Sequence, residues 1–210
     1  YAKVITKYDN RGNLIEASHY DASGELCVSN EGFSKMTVKY DDRGNRIEEA
    51  YYGEDGKLII SHFGYAKVIS EYDNRGNQVK SSYYGADGEP CLGYDGAVTT
   101  AKYDDRGNQI ELAFYSVDGV RYLNVGGYAI ITSKFDDHNN VIEQTYHGVD
   151  GKPCVSRDGF ATTIAKYDNR GNLIEATCYD ANGEPCVSNT GVSKTTIKYD
   201  GHGNMVEQAF

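Results

Sequence analysis

The 210-residue chain has no Trp, two Met and three Pro, and its 21 basic residues are outnumbered by 31 acidic ones, for a net charge of −10. Each shortage excludes something. Without a basic stripe to release the counterions of a phosphate backbone, nucleic acid is disfavoured as a partner. No run approaches the roughly 18 apolar residues of a membrane-spanning helix, so no membrane insertion is expected. No segment sustains a helical hydrophobic period. Neither CxxC nor HxxxH spacing occurs, and no set of His, Cys, Asp and Glu converges at metal-ligand spacing, so the residues call for no metal and no cofactor. The chain opens on Tyr1 in mid-repeat, without a start Met or a charged-then-apolar leader, which is expected of a piece of a longer protein and leaves its compartment unassigned.

What is abundant points one way. There are 24 Gly and 19 Tyr, the composition of half-buried strands joined by tight turns. The motif Tyr-Asp-x-Arg-Gly-Asn returns at Tyr8, Tyr40, Tyr72, Tyr103, Phe135, Tyr167 and Tyr199. All intervals are 32 residues except one of 31. Residues 1–210 therefore read as a single array of about 6.5 units, with unit motifs starting at 7, 39, 71, 102, 134, 166 and 198.

Each unit carries two turn signals. The first pairs Asp with Gly at Asp9/Gly12, Asp41/Gly44, Asp73/Gly76, Asp104/Gly107, Asp168/Gly171 and Asp200/Gly203, and Asp136 with Asn139 in the fifth unit. Asp bonds its own downstream backbone, and Gly takes positive φ. Asn139 replaces Gly by one of the few residues that tolerate that conformation, which fits a turn. The second signal is Asp-Gly or Asn-Gly, as at Asp55-Gly56 and Asn182-Gly183, between apolar runs, a hairpin mark. Calcium-loop likeness at Asp180-Ala181-Asn182-Gly183-Glu184 lacks the distant bidentate Glu and reads as a plain turn.

Segments 2–8 and 14–20 alternate with period two and are expected to be strands A and B. Lys precedes the motif aromatic and Glu follows the strand-B Ile/Val in six units, as Lys7 and Glu16; the third unit reverses both, to Glu71 and Lys80. Paired reversal is what directly opposed cross-strand partners show. Lys7 is thus expected opposite Glu16, and Tyr8 opposite Ile15. The face holding the Ile15 column is expected to be the interior, with Glu49, Ser81, Gln144 and Gln208 meeting water or a ligand. Segments such as Glu25-Leu26-Cys27-Val28 are candidate third strands, and Ser29-Asn30-Glu31-Gly32 is a looser connection. In the third unit the one-residue deletion falls near Gly93-Tyr94-Asp95-Gly96.

The Cys column is spaced by about 10 Å per repeat, beyond the roughly 7 Å reach of a disulfide. Only Cys178 and Cys186 are placed to pair, across a local turn. The five His are scattered, and catalysis needs an asymmetric set of groups converging on one point. A non-enzyme is expected.

Tyr-Asp-x-x-Gly occurs twice in the first unit, at Tyr8 and at Tyr20, and twice again in the sixth. This resembles the tandem YD repeats of RHS-type bacterial proteins, and the longer pattern resembles bacterial repeats of unassigned function. The resemblance covers essentially the whole chain. It implies a spiralling β-sheet that can enclose a cargo domain or act at the cell surface. The chain departs from that group in its strict 32-residue double unit, and it has no segment resembling the proteolytic core domain or a toxin.

The expected class is all-β: tandem antiparallel hairpins in a coiled sheet or β-solenoid, with a closed seven-hairpin toroid as the alternative. Three functions fit: a structural or interaction module with a protein partner and end-to-end self-association, a carbohydrate-binding surface of repeated Tyr and Asn/Asp, and a scaffold for an enzyme or toxin domain elsewhere.

Overall fold

The computed structural model describes residues 1–93 and 95–210. Tyr94, in the shortened loop of the third unit, lies outside the described residues. The elements are β1 (Lys3–Tyr8), β2 (Leu14–Tyr20), β3 (Lys35–Tyr40), β4 (Arg46–Tyr52), β5 (Lys67–Tyr72), β6 (Gln78–Tyr84) and β7 (Val98–Tyr103). They continue as β8 (Gln109–Tyr115), β9 (Ile130–Phe135), β10 (Val141–His147), β11 (Thr162–Tyr167), β12 (Leu173–Tyr179), β13 (Lys194–Tyr199) and β14 (Met205–Ala209). All are strands of one antiparallel sheet in strict sequence order. β1 and β14 end that order without pairing to each other, so the sheet is open and the closed-ring alternative is set aside. By contact the chain falls into two compact units, residues 1–100 with 115–120, and residues 101–114 with 121–210.

Turn chemistry makes each hairpin. In the first turn the Asp9 N–H donates to the Asn13 carbonyl at 2.9 Å and the Gly12 N–H to the Asp9 carbonyl at 3.1 Å. The same two bonds close the second turn, from Asp21 to Glu25 and from Gly24 to Asp21. They also close a third. The Ser29 N–H donates to Phe33, the Gly32 N–H to Ser29, and Gly32 has φ 86°. The connection expected to be loose is therefore another tight turn, in which the Ser29 hydroxyl accepts the Glu31 N–H at 3.2 Å in place of an Asp carboxylate.

Two expectations about the strands are corrected. Lys7 lies opposite Glu16, but Tyr8 pairs with Leu14 rather than Ile15, because a β-bulge at this step leaves Ile15 as the extra residue. The bulge returns in the later hairpins, as Tyr40 with Arg46 and Tyr167 with Leu173. The candidate third strands shrink to single bridges, such as Tyr20 with Leu26 and Tyr179 with Pro185, since the turn chemistry on either side leaves only one residue to pair.

Burial is also placed differently from the sequence expectation. The Ile15 column is half-buried from Ile47 to Ile174 and exposed at Val206. The core gathers at the other end of the strands, where the second and third turns lie. There Ser18 and His19, Ala50 and Tyr51, Ala113 and Phe114, and Thr145 and Tyr146 are buried as adjacent pairs. Neighbouring strand residues point to opposite faces, so both faces are covered at that end. Beside them Ser34, Ala66, Ala97, Ala129 and Ala161 are almost fully enclosed. Ala66 shows why: its N–H bonds Tyr84 and its carbonyl accepts from Tyr51, each at 2.8 Å, with sheet on both sides.

Candidate functional site

The residues singled out by sequence form a row at the hairpin tips. In each turn the Asp side chain is enclosed by donors. Asp9 Oδ1 accepts the N–H groups of Arg11 and Asn13 at 2.9 and 2.8 Å, while Oδ2 accepts the Asn13 side-chain amide at 2.9 Å. The same set recurs at Asp41, Asp73, Asp104, Asp136, Asp168 and Asp200. These bonds, led by the Asn side-chain amide, hold all seven carboxyls below the ordinary carboxylate range. Gly12, Gly44, Gly76, Gly107, Gly171 and Gly203 all have φ between 82° and 88°, and Asn139 has φ 65°.

What the sequence did not disclose is how one turn holds the next. Arg11 Nη1 donates to the Asp42 carbonyl at 2.6 Å, Arg43 to Asn74 at 2.8 Å, and Arg170 to Gly201 at 2.8 Å. In the fourth and fifth units the link is the Asn108 amide on Asn139 Oδ1, at 2.9 Å. The motif tyrosine points back the other way. Tyr40, Tyr72, Tyr167 and Tyr199 donate their hydroxyls to the carbonyls of Leu14, Arg46, Val141 and Leu173, at 2.9 to 3.1 Å. Each acceptor is the residue at the bulge, where the regular ladder is broken. A signal for this was present in the recurrence of Arg in five motifs and Tyr in six, but recurrence alone does not say toward which neighbour a side chain turns.

Along the strands, Lys7–Glu16 lie 2.7 Å apart and the reversed Glu71–Lys80 pair 2.8 Å. Lys39–Glu48, Lys102–Glu111, Lys134–Glu143, Lys166–Glu175 and Lys198–Glu207 complete the column at 2.8 to 2.9 Å.

A second column is aromatic. Tyr1 packs on His19, Phe33 on His19 and Tyr51, Tyr65 on Tyr51 and Tyr83, with centroids 4.6 to 5.9 Å apart. In the second compact unit Tyr128 packs on Phe114 and Tyr146, and Phe160 on Tyr146, at 4.6 to 6.0 Å. Polar groups on this face are engaged by the rings. Glu49 accepts the Tyr51 hydroxyl and Arg46 Nη1, and Gln144 Oε1 accepts the Tyr146 hydroxyl at 3.2 Å. Burial, followed by the Glu49 bond, pushes the Tyr51 phenol far above its ordinary range, so the ring remains neutral.

The Cys column faces the same rings across the second turn. The N–H groups of Cys27, Cys91 and Cys154 bond the carbonyls of His19, Tyr83 and Tyr146. Cys178 and Cys186 stand in this relation too, joined by the Cys186 N–H at 3.0 Å, and both thiols are free. Desolvation raises the Cys91, Cys154 and Cys178 thiols, the opposite of what a reactive cysteine needs.

No known protein family matches the chain, and no curated protein matches it. Solved structures do. A chain of the Photorhabdus luminescens Tc holotoxin pore is 15% identical with a TM-score of 0.60, covering 98% of this chain and 9% of its own. A TcdB2-TccC3-TEV structure is 14% identical with a TM-score of 0.32, covering 96% of this chain and 13% of its own. A TcdB2-TccC3-Cdc42 structure is 14% identical with a TM-score of 0.29, covering 98% and 13%. At those scores the latter two add nothing to the first. The chain thus spans about a tenth of the Tc chain it resembles. That likeness is one of fold, and it supports the RHS-like repeat fold that the paired Tyr-Asp-x-x-Gly motifs imply.

Proposed function

We propose that this array is a non-enzymatic structural and interaction module, a stretch of wall in a longer repetitive bacterial protein whose building block is the 32-residue double-YD unit. One observation supports this above the rest. The Asp and Asn of the motif, present in all seven units, its Tyr, present in six, and its Arg, present in five, bond their own turn or the backbone of an adjacent hairpin, as Asp9, Asn13, Tyr40 and Arg11 do. Side chains used this way set spacing. A partner then meets the faces and variable loops that the motif holds, and the wall carries or encloses an enzyme or toxin domain lying outside these residues. The free edge of β1 can accept a further hairpin or a second copy end to end.

Excising residues 39–70 removes one whole unit and joins Val38 to Glu71 in register. If the module is structural, the shortened chain keeps the same far-UV circular dichroism per residue and sediments as a smaller folded species. An unfolded product refutes interchangeable units. A glycan array on the intact chain separates the carbohydrate-binding alternative, since reproducible retention of one glycan class moves the function to the Tyr and Asn/Asp surface.

A further inference from the structure

After each second turn the chain makes a short extended pass, and one position of that pass is apolar and exposed in every full repeat. In the first compact unit the position holds Val28, Ile60 and Leu92, between 44% and 49% exposed. In the second it holds Leu123, Val155 and Val187. The neighbours alternate as a half-buried segment should: Cys27 is half-buried and Ser29 buried, and Ile59 and Ser61 repeat the pair. The outward position of such a segment ordinarily carries a polar residue. Leu26 and Leu58, two residues earlier on the same side and half-buried, widen the apolar strip. Apolar side chains exposed singly need no explanation, but a repeated column of them marks an interaction surface.

In the first compact unit this column stands beside uncompensated charge. Glu25, Glu31, Glu54 and Glu89, all exposed on the flanking turns, meet no cation among the described residues. Along the strands the arrangement is the opposite, with Glu16, Glu48 and Glu71 each within 2.8 Å of a lysine. Lys57, the one lysine of these turns, lies 3.6 Å from Asp55, and Lys35 and Lys67 on the adjoining strands lie over the Tyr52 and Tyr84 rings. A second copy of this chain would bring like charge to the strip, whereas a basic polypeptide supplies the missing cations.

Spacing selects the form of that polypeptide. Equivalent residues of successive repeats stand two strand spacings apart, about 9.4–9.8 Å. A polyproline II segment presents the same face every third residue, about 9.3 Å, while a strand does so every ~6.8 Å and a helix every seventh residue, ~10.5 Å. Over two intervals the polyproline form stays within about 1 Å of the column, and the helix overshoots by about 1.4–2.2 Å. We infer that the strip through Val28, Ile60 and Leu92 docks a basic partner segment in the polyproline II conformation. It sets one apolar side chain against each repeat and Lys or Arg against the glutamates. The inference deepens the interaction half of the reading above, and its failure would leave the structural half standing, since no bond of the turns or strands depends on it.

The test uses the intact chain and acetylated, amidated nonapeptides, followed by NMR titration. The probe is Lys-Leu-Pro-Pro-Leu-Pro-Pro-Leu-Lys. One control replaces both Lys by Glu, and another replaces the three Leu by Ser. The probe is expected to bind at least about tenfold more tightly than either control. Val28→Ser, Ile60→Ser and Leu92→Ser together are expected to abolish the preference, and Ile60→Ser alone to reduce it, with circular dichroism unchanged because the replaced side chains lie outside the core. Serine at Leu123, Val155 and Val187 is expected to leave the preference over the Glu control intact. Equal binding of the probe and either control overturns the proposal, as does a preference that survives the triple variant. A Lys-rich helical peptide with Leu at every seventh residue that matches the probe's affinity overturns the polyproline form. A dimer of the intact chain in sedimentation that the triple variant dissolves also overturns it, by making a second copy the occupant.

Discussion

Replacing Tyr51 by Ala removes the most enclosed ring among the described residues. It is 1% exposed and contacts Phe33 at 4.8 Å, Phe63 at 5.6 Å and Tyr65 at 5.9 Å. Large-to-small substitution of a buried aromatic costs about 3–5 kcal/mol, because the cavity adds to the lost transfer energy. Tyr51→Phe keeps the ring and removes only the hydroxyl on Glu49. Because Arg46 still holds that carboxylate at 3.0 Å, the expected cost is about 1.5 kcal/mol, the low end for a bond to a charged group. The control is Tyr8→Ala, an exposed ring at the sheet edge (58% exposed), expected within about 0.5 kcal/mol of wild type. Urea unfolding followed by circular dichroism gives each difference from the shift in midpoint at fixed m. If Tyr51→Ala costs no more than Tyr8→Ala, the aromatic column is not the core, and the placement of burial at the loop-rich end is wrong.

Other outcomes follow from the same geometry. Tyr72→Phe deletes the hydroxyl bond to the bulge carbonyl of Arg46 and is expected to cost about 0.5–1.5 kcal/mol by urea unfolding; no change would mean that water replaces the hydroxyl at that carbonyl. Gly44→Ala isolates backbone strain, since φ is 87° and an added Cβ meets nothing within 4 Å, and about 1–2 kcal/mol is expected. Glu71→Lys places two cations opposite each other and is expected to lose less than about 1 kcal/mol at low salt, recovered when Lys80→Glu is added. Urea midpoints of the two single variants and the double variant measure the recovery. The turn carboxylates have folded pKa values lowered below 3.8, so their stabilisation is complete above that pH and is lost as pH falls through the lower folded values. Urea midpoints measured from pH 5 downward should therefore fall below about pH 3.8, and a flat profile there would refute the carboxylate role.

Much of the fold was legible because it is made of local chemistry. Asp9-Asn10-Arg11-Gly12-Asn13 can close a turn without help from distant residues, and six repetitions turn one hairpin into an all-β array. Less was legible where two strands must agree. Tyr8 and Ile15 read as partners by simple counting, yet a five-residue turn leading into a bulge shifts the count by one. The turn at Ser29 was hidden because Ser imitates Asp there with a hydroxyl rather than a carboxylate.

The sequence by itself determined the period, the strand content and the positions that need Gly or Asn, since these follow from dihedral preference and from bonds spanning at most five residues. Only the tertiary structure decided that Arg11 reaches the Asp42 carbonyl, that the Tyr72 hydroxyl serves the bulge at Arg46, and that burial lies at the loop-rich end. Those features depend on residues 26 to 31 positions apart being brought side by side, and that proximity comes from the stacking of hairpins, which no single unit contains.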